Sequence, residues 1–113
     1  MKILVLEDNS SRVEYFMERF SDHDLTITEN AFDAILCLEE EVFDCIFLDH
    51  DLGENNGSGS DVAIFLNNDM NLNIDATIII HSWNGPAAAS MMTILPNAYS
   101  VPFGSAEFYG LDI

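Results

Sequence analysis

The stretch Cys45-Ile46-Phe47-Leu48-Asp49-His50-Asp51-Leu52-Gly53 joins an apolar run to a group of polar side chains. Four apolar residues ended by a carboxylate are typical of a strand that is buried on both faces of a parallel sheet. A second run of this kind, Ile3-Leu4-Val5-Leu6, ends in Glu7-Asp8. Carboxylates at the ends of neighbouring parallel strands repel one another, and a bound cation relieves that repulsion. The two stretches therefore predict a parallel sheet with a divalent-metal site at one edge.

Short apolar runs alternate along the chain with segments of helical periodicity, which is typical of a parallel sheet with crossover helices. We predict five strands, at Lys2–Leu6, Leu25–Thr28, Cys45–Leu48, Ala76–His81 and Ala98–Val101. Ser10 or Ser11 is expected to cap the first helix, and Gly104–Ile113 leaves room for only a shortened last helix. The alternation predicts one α/β domain over residues 1–113, a flavodoxin-like doubly wound fold with five parallel strands in the order 2-1-3-4-5.

The composition excludes several classes of function. The chain has a formal net charge of −17, and its only basic side chains besides histidine are Lys2, Arg12 and Arg19. No basic patch can be built from three such residues, so duplex nucleic acid is not an expected partner. No apolar run approaches the roughly 20 residues that span a bilayer, so no membrane partner is expected either. Met1-Lys2-Ile3 leads directly into the first strand instead of a signal peptide, which favours a cytoplasmic location.

In the predicted strand order the first and third strands are neighbours, so their acidic ends meet where such sheets bind ligands. The candidate metal ligands are Glu7, Asp8, Asp49 and Asp51. Hard oxygen ligands of this kind favour Mg²⁺ or Mn²⁺. Asp8 and Asp49 are the best side-chain ligands, and Asp51 is expected to contribute mainly its backbone carbonyl. The alternative is that these are ordinary strand-end or turn residues, because Asp is common at such positions.

Two histidines accompany the acids. His50 directly follows Asp49, and His81 follows the fourth strand, which lies beside the third in the predicted order. Each is a candidate general acid or base for chemistry at the same edge of the sheet. The alternatives are a structural hydrogen bond for each ring, or a two-histidine site for a softer metal ion.

Three further side chains are candidates for holding a phosphate group. Ser82 and Asn84 offer neutral hydrogen bonds to phosphoryl oxygens, although Asn84 is equally suited to capping the next helix. Arg12, in the first turn of the first helix, is either a phosphate clamp or an exposed helix residue. Trp83 is expected to cover the core, with stacking on a nucleobase as the alternative.

These features resemble the receiver domain of two-component response regulators over essentially the whole chain. Glu7-Asp8, Asp49, Ser82 and Pro102-Phe103 stand where that family has its functional positions. The resemblance implies phosphorylation of Asp49 with the help of Mg²⁺. Val101 departs from it, because receivers carry a lysine at this position. The short last helix puts the usual dimerisation face in doubt, so we expect a monomer or a weak homodimer.

A narrower group, the divergent cyclic-phosphate-processing receiver domains of bacteria and phages, is a closer match. The resemblance lies in Leu48-Asp49-His50-Asp51-Leu52-Gly53, His81-Ser82-Trp83-Asn84, and Leu6-Glu7-Asp8 followed by Arg12. It implies that the chain acts on, or recognises, a cyclic phosphate. Together with the acids and histidines it predicts a metal-dependent phosphoesterase-like domain that opens a cyclic phosphate on a small nucleotide or an RNA end. Asp49, His50 and His81 are its expected catalytic residues.

Three other functions remain open at this stage. The first is a non-catalytic sensor or sponge for a nucleotide or phosphate ligand. The second is a divergent phosphoacceptor receiver that uses Asp49 without the usual lysine. The third is an interaction domain that keeps a vestigial acidic pocket.

Overall fold

The computed structural model describes residues 1–113, in which strands and helices alternate along the whole chain. The strands are β1 (Lys2–Leu6), β2 (Asp24–Thr28), β3 (Cys45–Leu48), β4 (Thr77–Ile80) and β5 (Tyr99–Ser100). The helices are α1 (Ser10–Arg19), α2 (Ala31–Glu40), α3 (Gly59–Leu66), α4 (Gly85–Ile94) and α5 (Ala106–Tyr109). None of these helices has the length and apolar character required to cross a membrane.

All five strands form one parallel sheet in the order β2-β1-β3-β4-β5, which confirms the predicted topology. The last residues of β1, β3 and β4 are paired with one another in the sheet register. The backbone ladder continues past them, because the Asp49 amide donates to Leu6 (3.1 Å) and the His81 amide donates to Leu48 (3.0 Å). The residues that follow these three strands therefore emerge side by side at one edge of the sheet.

Two hydrophobic clusters hold the helices against the sheet. The larger one packs α2, α3 and α4 against one face, and the smaller one packs α1 and α5 against the other face. Strand β3 runs between the two clusters, and none of its four residues exposes more than 1% of its surface. Burial of each such Leu, Ile or Phe side chain contributes about 1.5–3 kcal/mol. The centre of the sheet is therefore a rigid base for the residues that follow it.

Strand β2 begins one residue earlier than predicted, β4 is one residue shorter at each end, and two further local predictions differ from the structure. Asn9, rather than Ser10 or Ser11, caps α1, because its Oδ1 accepts hydrogen bonds from the amides of Ser11 (3.1 Å) and Arg12 (3.2 Å). Asn9 has the extended backbone that a cap requires, whereas both serines are already inside the helix. Strand β5 is only two residues long, because Ala98 closes a turn by donating to Leu95 (3.0 Å).

Asn73 fixes the loops at the opposite edge of the sheet, and the sequence analysis did not identify it. Its side chain is buried, with Oδ1 accepting from the Phe43 amide (2.6 Å). Its Nδ2 donates to the carbonyls of Leu38 (3.1 Å) and Glu41 (2.9 Å). One carboxamide thus satisfies three backbone groups between α2 and β3.

We expect Asn73→Ala to lower the free energy of unfolding by about 2–3 kcal/mol, because it leaves buried backbone groups without partners. The exposed Asn97 provides the control, and Asn97→Ala should change stability by less than about 0.5 kcal/mol. Chemical denaturation of both variants measures the difference. Equal stabilities of the two variants would contradict this role of Asn73.

Candidate functional site

The carboxyl ends of β1, β3 and β4 surround an open cleft of about 210 Å³. Its lining consists of Glu7, Asp8, Asn9, Arg12, Asp49, Asp51, Ser82, Trp83 and Asn84. The cleft contains every residue that the sequence predicted to bind metal or phosphate. The two predicted histidines, His50 and His81, do not line it.

Three clefts elsewhere are larger, but each has only one acidic side chain in its lining. One, of about 260 Å³, lies between the loops at the other edge of the sheet, and Asp69 is its only titratable residue. Another, of about 430 Å³, lies beside β5 and is mostly apolar, with Asp112 as its only acidic side chain. The third, of about 310 Å³, lies between α2 and the loop after α3, and Glu39 is its only titratable residue. The candidate site is therefore the smaller acidic cleft.

Glu7 lies below the floor of the cleft and is completely buried. One carboxylate oxygen accepts from the amides of Asp8 and Asn9 (both 3.1 Å), and the other lies 2.9 Å from Nε2 of His81. Burial alone would raise the pKa of Glu7, but the hydrogen bond from His81 and that from the Asn9 amide lower it. Glu7 is therefore a fixed negative charge with its hydrogen bonds already made.

His81 is also completely buried, so the structure places it deeper than the sequence suggested. Its ring packs between Phe16 and Phe47, with centroid distances of 5.2 and 6.2 Å. Burial lowers the pKa of His81 and favours the neutral ring, whose Nδ1 has no hydrogen-bond partner. His81 therefore acts on the cleft only through Glu7.

Asp49 lies above Glu7 and is 5% exposed. Burial and the negative charge of Glu7 raise the pKa of Asp49 to about 7, against an ordinary value of 3.8. A ligand atom from each of Glu7, Asp49 and His81 lies within 4.8 Å of the other two. The carboxylates of Glu7 and Asp49 are thus so close that a proton or a cation is required to offset the repulsion between their charges.

Asp51 and His50 form a pair at the outer side of the cleft. Nδ1 of His50 lies 2.8 Å from Oδ1 of Asp51, and this hydrogen bond lowers the pKa of Asp51. The second oxygen of Asp51 lies 3.4 Å from Nδ2 of Asn84, too long for a strong hydrogen bond. Asp51 thus presents its carboxylate to the cleft, beyond the backbone carbonyl that the sequence analysis emphasised.

The three phosphate-binding candidates, Asn84, Ser82 and Arg12, each contact neighbouring groups that fix their positions. Asn84 caps α4, with Oδ1 accepting from the Ala87 amide (3.1 Å), so the capping alternative is confirmed for that atom. Its backbone amide donates to the buried Ser82 Oγ (3.1 Å). Arg12 is partly buried rather than exposed, with Cζ 5.1 Å from the Phe103 ring centroid and Nη1 3.7 Å from Glu7. Arg12 is the one cationic side chain of the lining.

Trp83 does not cover the core, which corrects the expectation from sequence. Its side chain is 64% exposed, and it lines the cleft between Ser82 and Asn84. An exposed strand-end loop carries it outward, since the adjacent Ser82 and His81 occupy the buried positions.

Two glycines, Gly59 and Gly53, have backbone roles in the site that were not predicted from the sequence, although Gly53 belongs to the stretch that carries the family resemblance. A side-chain carbon on Gly59 would come within 1.9 Å of the Asp49 carbonyl oxygen, so only glycine lets α3 begin here. Gly53 has a φ of +79°, a conformation that other residues adopt only with strain, and its free side faces Asp8. The polar, Gly-containing loop after β3 was the available signal.

The cleft provides hard oxygen donors and an excess of negative charge. Asp8, Asp49 and Asp51 line it together with the buried Glu7, against the single positive charge of Arg12. Carboxylates crowded in this way are the ligand set that Mg²⁺ and Mn²⁺ bind. The donor set therefore fits the divalent cation that the sequence predicted.

We expect Asp49→Asn to stabilise the metal-free protein at pH 8 by roughly 2–4 kcal/mol, because ionised Asp49 is buried beside Glu7. The folded-state pKa is raised, so ionisation of Asp49 destabilises the wild type as the pH rises from 4 through 7. The gain of the variant should therefore shrink as the pH falls and vanish near pH 4.

Denaturant titrations in a chelator, at several pH values, measure this gain. Asp22 is exposed, and Asp22→Asn removes the same charge without relieving a buried pair. That control should change stability little at any pH. An equal gain in both variants would show that only the net charge matters.

The chain matches a known family along most of its length. The family profile described as Cyclic-phosphate processing Receiver domain covers residues 2–97. Among curated protein sequences, none matches this chain.

Solved structures of receiver domains share the fold. The phosphorylated cyanobacterial phytochrome response regulator RcpA superimposes with a TM-score of 0.77 at 18% identity, over 97% of this chain and 84% of that one. The non-phosphorylated HemR receiver domain from Leptospira biflexa has a TM-score of 0.75 at 20% identity, covering 96% and 86%. The Mn²⁺-bound response regulator Rcp1 has a TM-score of 0.71 at 19% identity, also covering 96% and 86%.

The profile match and the shared topology lead to one assignment. The site residues recognised in the sequence all lie within the matched range. The chain belongs to the cyclic-phosphate processing Receiver domain family.

Proposed function

We propose that this domain binds Mg²⁺ or Mn²⁺ in the acidic cleft and hydrolyses a cyclic phosphate on a small nucleotide or an RNA end. The observation that carries the proposal is the convergence of carboxylates, a guanidinium and neutral donors in one cleft. The family to which the chain belongs, named for cyclic-phosphate processing, supports the choice of substrate.

Asp8, Asp49 and Asp51 are the side chains that would hold the cation. Glu7 is better described as a positioning residue, because both of its oxygens already accept hydrogen bonds. A bound divalent cation supplies Lewis-acid polarisation of a phosphoryl oxygen. The structure of Rcp1, which has the same fold, is a Mn²⁺-bound form and supports a cation in this family of folds.

Three donors are placed to hold the phosphate in the cleft. Arg12 offers its guanidinium, which the Phe103 ring and Glu7 hold in position. Ser82 and Asn84 add a hydroxyl and an amide from the loop after β4. Receivers have a positively charged lysine at the position of Val101. In this chain Arg12 of α1 provides a positive charge instead.

His50 lies beside the cleft rather than in its lining, and its contact with Asp51 makes it the proposed proton carrier. With Nδ1–H donated to Asp51, its Nε2 is left to exchange a proton, an arrangement used by general bases. In the reaction, a water oxygen bonds to phosphorus, and one bond from phosphorus to a sugar oxygen breaks. The proton removed from water ends on that sugar oxygen. His81 has no exposed surface and contributes by orienting Glu7.

Turnover is the direct test of this function. We expect the protein with Mn²⁺ to open nucleoside 2′,3′-cyclic phosphates or cyclic oligonucleotides, measured by chromatography of the products. Asp49→Ala should lower the rate at least about 100-fold, since it removes a proposed ligand of the cation. Asp22→Ala, far from the cleft in sequence and exposed, serves as the control. Turnover that survives Asp49→Ala, or no turnover of any substrate, would contradict the proposal.

Cation binding can be measured separately by calorimetry. We expect Mg²⁺ or Mn²⁺ to bind more tightly as the pH rises through about 7, because Asp49 must lose its proton first. Asp8→Asn and Asp49→Asn should each weaken binding. A wild-type titration without heat or saturation would rule out the metal site.

A second candidate function is that of a phosphoacceptor receiver. It is favoured by the position of Asp49, which opens into the cleft at the end of β3 within reach of the charge of Arg12. Only this function requires a covalent acyl phosphate on Asp49. Incubation with acetyl phosphate, followed by mass spectrometry of the wild type and Asp49→Asn, distinguishes it from hydrolysis. Tightly bound and unconsumed nucleotide would instead indicate a sensor or sponge.

A further inference from the structure

Trp83 is the one large apolar side chain in an otherwise polar cleft. It exposes 64% of its surface, so its burial contributes little to stability. It stands between Ser82 and Asn84, two of the proposed phosphate-binding residues. A packing role therefore does not explain why an indole lies here.

The loop after β5 approaches the indole at Gly104. A side-chain carbon built on Gly104 would lie 3.9 Å from Cζ2 of Trp83 and 3.8 Å from the hydroxyl of Tyr109. Gly104 has a φ of +83°, which favours glycine, so residue 104 carries no side chain beside the indole.

The backbone around Trp83 is also held firmly. The Phe103 amide donates to the His81 carbonyl (2.9 Å), which ties the loop after β5 to the loop that carries the indole. The Asn84 amide donates to the Ser82 hydroxyl (3.1 Å) directly after it. The loop that places Trp83 in the lining of the cleft is thus held by hydrogen bonds on both sides of the indole, so little ordering is needed for stacking.

We propose that Trp83 stacks on the nucleobase of the ligand, so that the site recognises a base together with its cyclic phosphate. This inference rests on the proposed function and adds that the site contacts the base of the nucleotide or RNA end as well as its phosphate. Indole–base stacking is tolerant of sequence, because every base has a flat face. With a net charge of −17, the chain disfavours a long polyanion, so the ligand is a free or terminal nucleotide.

Trp83 is the only tryptophan of the chain, which makes stacking directly observable. Adenosine 2′,3′-cyclic phosphate, titrated with Mg²⁺ present, should quench the intrinsic tryptophan fluorescence to saturation. Methyl riboside 2,3-cyclic phosphate lacks a base and should bind more weakly, without quenching. Calorimetry of both compounds under the same conditions provides the binding curves.

A pair of variants tests how much stacking on Trp83 contributes to the affinity for the nucleotide. Trp83→Leu should weaken binding of the adenosine compound about tenfold and leave binding of the base-free compound unchanged. Tyr99→Leu removes an equally exposed aromatic residue that lines the cleft beside β5, and it should change neither affinity. Circular dichroism should show the same fold for all three proteins.

The outcomes separate this inference from the proposed function. Hydrolysis without quenching, or equal affinities of both compounds, would overturn the stacking role and leave the hydrolytic function standing. Quenching that depends on Trp83 without hydrolysis would support stacking and remove the catalytic function. If neither compound binds, the inference is overturned.

Discussion

Two carboxylates buried side by side are the constraint on which the rest of this site depends. Glu7 and Asp49 follow neighbouring central strands, and the sheet register brings them to the same level. Neither can be moved without breaking the ladder between β1 and β3. Ionised together in a poorly solvated position, they repel each other, which raises the pKa of Asp49 to about 7. Their burial makes a cation, a proton or a donor necessary at this point.

Two sets of groups surround this pair of carboxylates, one around Glu7 beneath the cleft and one around Asp49 in the cleft itself. Below the cleft, a neutral His81 and two backbone amides satisfy Glu7, while Arg12 approaches it from α1. Above it, Asp49 meets a cleft that is open to solvent and lined by other carboxylates, a guanidinium and neutral polar groups. The lower set is closed and gives rigidity, and the upper set is open and available for chemistry. This division explains why His81 is buried beside Glu7 whereas His50 pairs with Asp51 at the outer side of the cleft, although each follows a central strand.

Several parts of this arrangement could be predicted from sequence, and the reasons are local. The apolar runs and their acidic ends indicated the strands, and the alternation with helices indicated a parallel sheet of known order. Once the order is set, the ends of β1, β3 and β4 must meet, so the metal- and phosphate-binding candidates were correctly grouped. The direction in which individual side chains point was harder to predict from the sequence. His81 points into the aromatic core and Trp83 points out of it, the reverse of what their positions suggested.

The sequence by itself determined which residues share one edge of the sheet, because strand order and strand ends follow from hydrophobic pattern and crossover handedness. It could not determine which of those residues are exposed. That depends on long-range packing: Phe16 and Phe47 enclose the His81 ring, whereas Trp83 is left exposed near Gly104. Contacts between residues distant in the chain have no periodic signature. Only the tertiary structure decided that the imidazole supports the site from below while the indole faces the solvent.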